Sequence, residues 1–163
     1  AIRLTLSTGS QCAVSSPGSG GQDYSISFGN IDALGINNPA CGAKFAPATP
    51  GSDAAVYYSD YRLTPVFTNQ NATTNTITAY VSNNFATLSN ILSVVQANSQ
   101  PASAAGLAAM STNSGSPTSV AANAANNTAI TRYIGVSVLP TNSSSAAVNG
   151  SDSATVTYTL TVN

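Results

Sequence analysis

The stretch TVTYTLTV near the C-terminus constrains this chain more than any other feature. Val156, Tyr158, Leu160 and Val162 fall on one side of an extended backbone, and Thr155, Thr157, Thr159 and Thr161 fall on the other. A period of two gives a strand an apolar face and a hydroxyl face, whereas a helix would scatter the same residues around its circumference. The alternation recurs. AITRYIGVSV puts Ile130, Ile134, Val136 and Val138 on one face with Arg132 as the charge in the row, and TNTITAYVS does the same with Ile77, Ala79 and Val81. QDYSISFGN sets Tyr24, Ile26 and Phe28 opposite two serines, and AAVYYSDYRLTPVF reads as two strands, 55–59 and 61–67, with Pro65 at an edge or bulge.

Helical spacing is confined to the middle of the chain. Phe85, Leu88, Leu92 and Val95 recur at three and four residues, and Pro101 opens an alanine-rich run to Met110, so one or two short helices are expected there. Residues 111–128 read as a long polar loop. Short strands punctuated by Gly, Pro, Asn and Ser predict an all-β chain, an immunoglobulin-like β-sandwich with those helices inserted. At 163 residues one domain is expected.

Charge narrows the function. Only 6% of residues are charged, four basic and five acidic, against about 25% in an ordinary domain. No basic patch exists to neutralise phosphates, so neither nucleic acid nor an anionic membrane surface is an expected partner. No apolar run is long enough to span a bilayer, and membrane insertion is not expected. Hydroxyls and amides must therefore cover the outside. Such a surface changes little with pH or salt but gives weak repulsion between molecules, which suits a protein that assembles or carries glycans. Asn71, Asn126, Asn142 and Asn149 begin Asn-x-Ser/Thr sequons, which permit covalent glycans and occur at about the frequency chance would give.

Chemistry is limited by what is missing. The chain has no His, and all five acids are Asp. A Ser-His-Asp or Cys-His centre is therefore excluded. Asp53 and Asp60 are the nearest approach to a carboxylate pair around a sugar, but both read as turn residues, and no enzymatic activity is expected. Lys44 stands in CGAKFAP without a Ser-x-x-Lys pattern and reads as a surface lysine. The scattered aspartates lack calcium-loop spacing, two cysteines fall short of tetrahedral zinc, and GSGG at 18–21 lacks the strand, helix and Lys-Ser/Thr of a phosphate loop. No metal or cofactor is expected. Tyr57, Tyr58 and Tyr61 offer either stacking surfaces for sugar rings or, more commonly, a mixture of core and surface positions.

A chain that starts at Ala1 rather than Met reads as a mature secreted one, and Cys12 and Cys41 then read as a disulfide. Closing that loop contributes about 3–4 kcal/mol in the chain-entropy account. Ahead of it lies AIRLTLST. Ile2, Leu4 and Leu6 alternate with Arg3, Thr5 and Ser7, and the strand has little of the Lys, Pro or bulge protection that isolates an edge. It completes either its own sheet or another chain's. Burying its three apolar side chains is worth roughly 1.5–3 kcal/mol each before ordering.

The alternating extension, TGSQC at Cys12, SISFGNID, Cys41 and a terminal strand ending at Asn163 together resemble donor-strand-exchange pilins. Chaperone-usher and spore-coat-U-like pilins of bacteria and the chaperone-free thread and bundling-pilus subunits of archaea share this layout. TYTLTVN departs from the chaperone-usher group in lacking its usual aromatic residue next to the last position. The resemblance implies an extracellular, cell-surface filament subunit for adhesion or biofilm, with residues 1–8 as a donor strand and 9–163 as the sandwich. Its partners would be identical subunits in a head-to-tail polymer. Ile2, Leu4 and Leu6 would enter the neighbour's groove, which is bordered by residues near Gln11 to Ser15 and by Val156, Tyr158, Leu160 and Val162. The alternative is a secreted glycan-binding or adhesive module acting as a monomer through its tyrosines.

Overall fold

The computed structural model describes residues 2–14, 24–68, 74–140 and 151–163. Within them the chain forms nine strands: β1 (Ile2–Thr8), β2 (Ala43–Phe45), β3 (Ala55–Phe67), β4 (Asn75–Asn83), β5 (Leu92–Ala97), β6 (Ala108–Ala109), β7 (Thr118–Ala122), β8 (Ile130–Val138) and β9 (Thr155–Val162). They make two antiparallel sheets, consistent with a β-sandwich. The larger runs β1-β3-β8-β5-β6 with β2 also on β3, and the smaller runs β7-β4-β9.

The alternating segments behave as their period requires. In β4, Ile77 and Ala79 are fully buried and Val81 nearly so, while Thr76, Thr78 and Tyr80 face outward. Together with Tyr57, Tyr61 and Leu63 of β3 and Val120 of β7 they form the core between the sheets. The larger sheet buries its other face too. Val56, Tyr58, Val95, Ala97 and Leu107 make a second cluster there, with Ala43, Phe45, Ala104 and Tyr133 against it. The Phe45 ring lies on Tyr58 at 5.0 Å and 12°.

That second cluster explains where the sequence reading departs from the structure. No helix forms over 85–95. Leu92 and Val94 face one core and Val95 and Ala97 the other, so β5 is apolar on both sides and its period of two is lost. The helical spacing survives as a single turn, closed by Leu92 N–H donating to Leu88 O at 2.7 Å. The alanine-rich run holds one 3₁₀ turn, Ala104–Gly106, before β6 pairs with β5. The supposed loop 111–128 contains β7, in which Val120 is the main apolar signal.

Residues 55–67 are one strand, not two. Pro65 lies beyond Leu63, where β8 has already ended, so its missing N–H interrupts no ladder on that side. Among the described residues of QDYSISFGN, 24–30, Ser25 alone makes a bridge, although Ile26 and Phe28 still pack half-buried against the core. Gly29 turns the chain with φ of 71°, against Ala40, whose N–H bonds Phe28 O. GSGG at 18–21 lies outside the described residues.

Candidate functional site

The first strand lies in its own chain's sheet. β1 pairs antiparallel with β3 over seven residues, from Ile2 opposite Phe67 to Thr8 opposite Tyr61. Its apolar side turns inward. Leu4 and Leu6 pack half-buried against the core, whereas Ile2, at the far end, is 60% exposed. β1 ends its sheet and β9 ends the other, and the two edges touch across the sandwich.

This side of the sandwich is less closed than the middle. Val156, Tyr158 and Leu160 of β9 face the core but stay half-buried, as does Val162, which lies outside the main cluster. Their ladder partners on β4, Val81, Ala79 and Ile77, are sealed. One polar contact ties the seam together. Tyr158 Oη donates to Tyr61 Oη at 2.8 Å, with the rings edge to face at 5.9 Å. Burial pushes the Tyr61 phenol up to about 12, and burial with Tyr61 beside it pushes Tyr158 well above the ordinary tyrosine range.

The slot that holds β1 is thus lined by β3 residues 61–67 and by β9. The reading that residues near Gln11 to Ser15 form a bordering strand is not met: Gln11–Val14 carry no strand, and Ser15 lies outside the described residues. Instead, Ser10, Gln11 and Cys12 continue along the same β3 edge. Ser10 N–H and Oγ donate to Asp60 Oδ2 at 2.6 and 2.7 Å, and Gln11 N–H donates to Oδ1 at 2.9 Å. Asp60 N–H returns a bond to Gln11 Oε1 at 3.2 Å, and Cys12 N–H donates to Ser59 Oγ at 3.1 Å. The Cys12–Cys41 disulfide, Cα to Cα 5.1 Å, closes this anchor.

Asp60 therefore stands in the middle of a strand, 7% exposed, and not at a turn. Burial acts to raise its pKa, but the Ser10 and Gln11 hydrogen bonds outweigh it and hold the carboxyl below the usual value of 3.8. Asp53 does occupy a turn, accepting from Thr49 N–H at 2.7 Å.

Two more carboxylates are used in the same way. Asp32 accepts from the N–H groups of Leu34, Ile36 and Asn37, while Lys44 Nζ takes the Ile36 and Asn37 carbonyls of the same loop. Asp152 accepts from the Ala86, Thr87 and Leu88 N–H groups. For both, burial works upward and the backbone donors win, leaving the pKa lowered. These aspartates close loops, and Lys44 is a loop tie as well as a surface lysine.

Tyr57, Tyr58 and Tyr61 offer no platform for a sugar. Tyr57 and Tyr61 lie in the core, and Tyr58 lies under Phe45, so all three are buried. A small recess of about 110 Å³ opens beside Tyr58, lined by Ser10, Gln11, Asp60, Gln100 and Tyr133. Among the sequons, Asn126 is exposed and its amide clasps Phe67, donating to the carbonyl and accepting from the N–H, each at 2.9 Å. Asn71, Asn142 and Asn149 lie outside the described residues. Among the described residues no cluster of three His, Cys, Asp or Glu could hold a metal ion, and no helix is long and apolar enough to cross a membrane.

The β3 edge and the Asp60 anchor were missed in the sequence. The available signal was an acid inside an otherwise apolar run, AAVYYSDYRL, which reads as a turn unless the whole run is taken as one strand. Comparison with family models, with curated proteins and with solved structures found no match.

Proposed function

We propose that this chain is the structural subunit of an extracellular, cell-surface filament, an immunoglobulin-like sandwich that polymerises by lending its N-terminal strand to the next subunit. The observation that carries the reading is the slot between the β3 edge and β9. It is filled by β1, which among the described residues is held through one ladder, to β3, with Leu4 and Leu6 entering a half-closed core. In a single chain β1 fills its own slot. In the polymer the same seven pairs form between neighbours, so exchange keeps the ladder and moves only the hinge.

Such an exchange is head-to-tail and does not close, so it extends into a fibre. A surface of hydroxyls and amides, with little charge to hold copies apart, favours the association. Vacating the slot uncovers the β3 edge and the inward face of β9, which gives the empty subunit a reason to take a strand. The test is electron microscopy of purified native protein beside a chain lacking residues 1–8. Fibres of uniform width are expected from the first, and a folded, aggregation-prone domain without fibres from the second. A full-length chain that stays monomeric by native mass measurement at high concentration overturns the proposal.

A further inference from the structure

Asp60 is the most heavily used acid on the β3 edge, and its position there is specific. The edge is occupied in sequence by β1 against residues 61–67, by Ser10 to Cys12 against Asp60 and Ser59, and by β2 against residues 56–58. No gap separates the strand from the anchor except Gly9. A Cβ on Gly9 would stand 2.5 Å from the Asp60 carbonyl oxygen, Cγ and Oδ1, so the backbone passes the carboxylate with no room for a side chain. β1, before Gly9, is held by its ladder with β3 and by the half-buried Leu4 and Leu6. Ser10 to Cys12, after it, are held by a carboxylate, a serine hydroxyl and a disulfide.

We infer that the Asp60 clasp is the register stop for strand exchange: it keeps Ser10 to Cys12 on their own domain, so an incoming strand finds a vacancy seven residues long and cannot slide past Tyr61. The inference rests on the exchange reading above. Its physical content is that a strand paired along an open edge is free to slip, and a slip of about two residues keeps the same side chains facing inward. Apolar packing alone therefore selects the face but not the position. The clasp blocks the edge at Asp60 and removes the slipped alternative. Asp60 acts as a positioning residue, through Ser10 and Gln11, without touching the incoming strand's apolar face.

Cross-linking reads register and exchange separately. Ser7 stands opposite Arg62 in the native ladder, both exposed, whereas a two-residue slip toward Asp60 brings Thr5 opposite Arg62. Assembled protein carrying S7C with R62C, or T5C with R62C, is oxidised and run without reductant, each also with D60A and with the shape-conserving D60N. With Asp60 present, S7C/R62C is expected to give covalent multimers and T5C/R62C to give few. In D60A the T5C/R62C multimers rise at the expense of S7C/R62C, and D60N lies between. Near-ultraviolet circular dichroism and an intact Cys12–Cys41 bond confirm folding of each variant. Multimers whose register is the same in wild type, D60N and D60A overturn the clasp while leaving exchange standing. Cross-links confined to single chains overturn the exchange reading and this inference with it.

Discussion

Two sides of the sandwich contrast. Where β3, β8 and β5 lie side by side, the larger sheet is covered on both faces, and Val56, Tyr57, Leu63 and Val95 are each no more than 4% exposed. Where β1 and β9 end their sheets, the inward side chains stay half-buried and Ile2 is mostly in solvent. Both β3 and β4 are paired on two sides, so the difference lies in what covers the edge. The sealed side carries the buried core, and under the exchange proposed above the seam is where the strand leaves and returns.

That contrast can be broken by truncation. Tyr57→Ala removes a fully buried ring together with its hydrogen bond to Asp32, and it should cost about 3–5 kcal/mol in urea unfolding. A loss as small as that of a seam residue would remove the distinction. Separating the anchor from the sheet comes next. Replacing Cys12 and Cys41 together by Ala should lower stability by about 3–4 kcal/mol and raise the denaturant slope, because the unfolded chain is released from its cross-link.

On the seam itself, Leu6→Ala should cost only about 1–2 kcal/mol, because a half-buried leucine forfeits roughly half of a full truncation. A cost equal to that of Leu63→Ala would mean that β1 is as sealed as the middle of the sheet.

Acid sharpens the comparison from another direction. Asp60, Asp32 and Asp152 have folded pKa values below the ordinary aspartate value of 3.8. The stability they contribute is therefore complete above that value and is lost as pH falls through it toward the folded values. Thermal melts should be flat from neutral pH down to about 5 and then decline. In D60N the part of that decline owed to the clasp disappears, and an unchanged profile would remove Asp60 from the account. The smallest effect is expected at Ile2. Ile2→Ser, at 60% exposure, should change the stability of the single chain by no more than about 0.5 kcal/mol.

How much of this was legible in the sequence followed from one-sided burial. β4 and β9 each turn one apolar face to one core, and β8 keeps its aliphatic residues on one face although both its faces are covered, so their alternation could be read directly from Ile77, Leu160 and Val136. β5 could not be read, because Val94 and Val95 are adjacent in sequence yet buried in different clusters. β7 offered a single valine among Ser and Ala, too little for any period. The disulfide was legible from two cysteines. The inward face of β9 and the apolar face of β1 were legible from spacing, and the structure brings Leu4 and Leu6 into the same cluster as Tyr158 and Leu160. The other wall of the slot was not. It depended on reading an aspartate between two tyrosines as the continuation of a strand, and local propensity argues for a turn at that place.

The central claim is that β1 is exchanged between chains, and it is tested most directly by mixing two proteins, one carrying only S7C and the other only R62C. These positions face each other in the ladder, so a disulfide between the two species requires the strand of one chain in the slot of another. The account expects a covalent pair of the two species on oxidation after assembly, reversed by reductant and more abundant when residues 1–8 are deleted from the R62C chain, whose slot is then empty. Mixed chains that polymerise yet never yield that bond would contradict it.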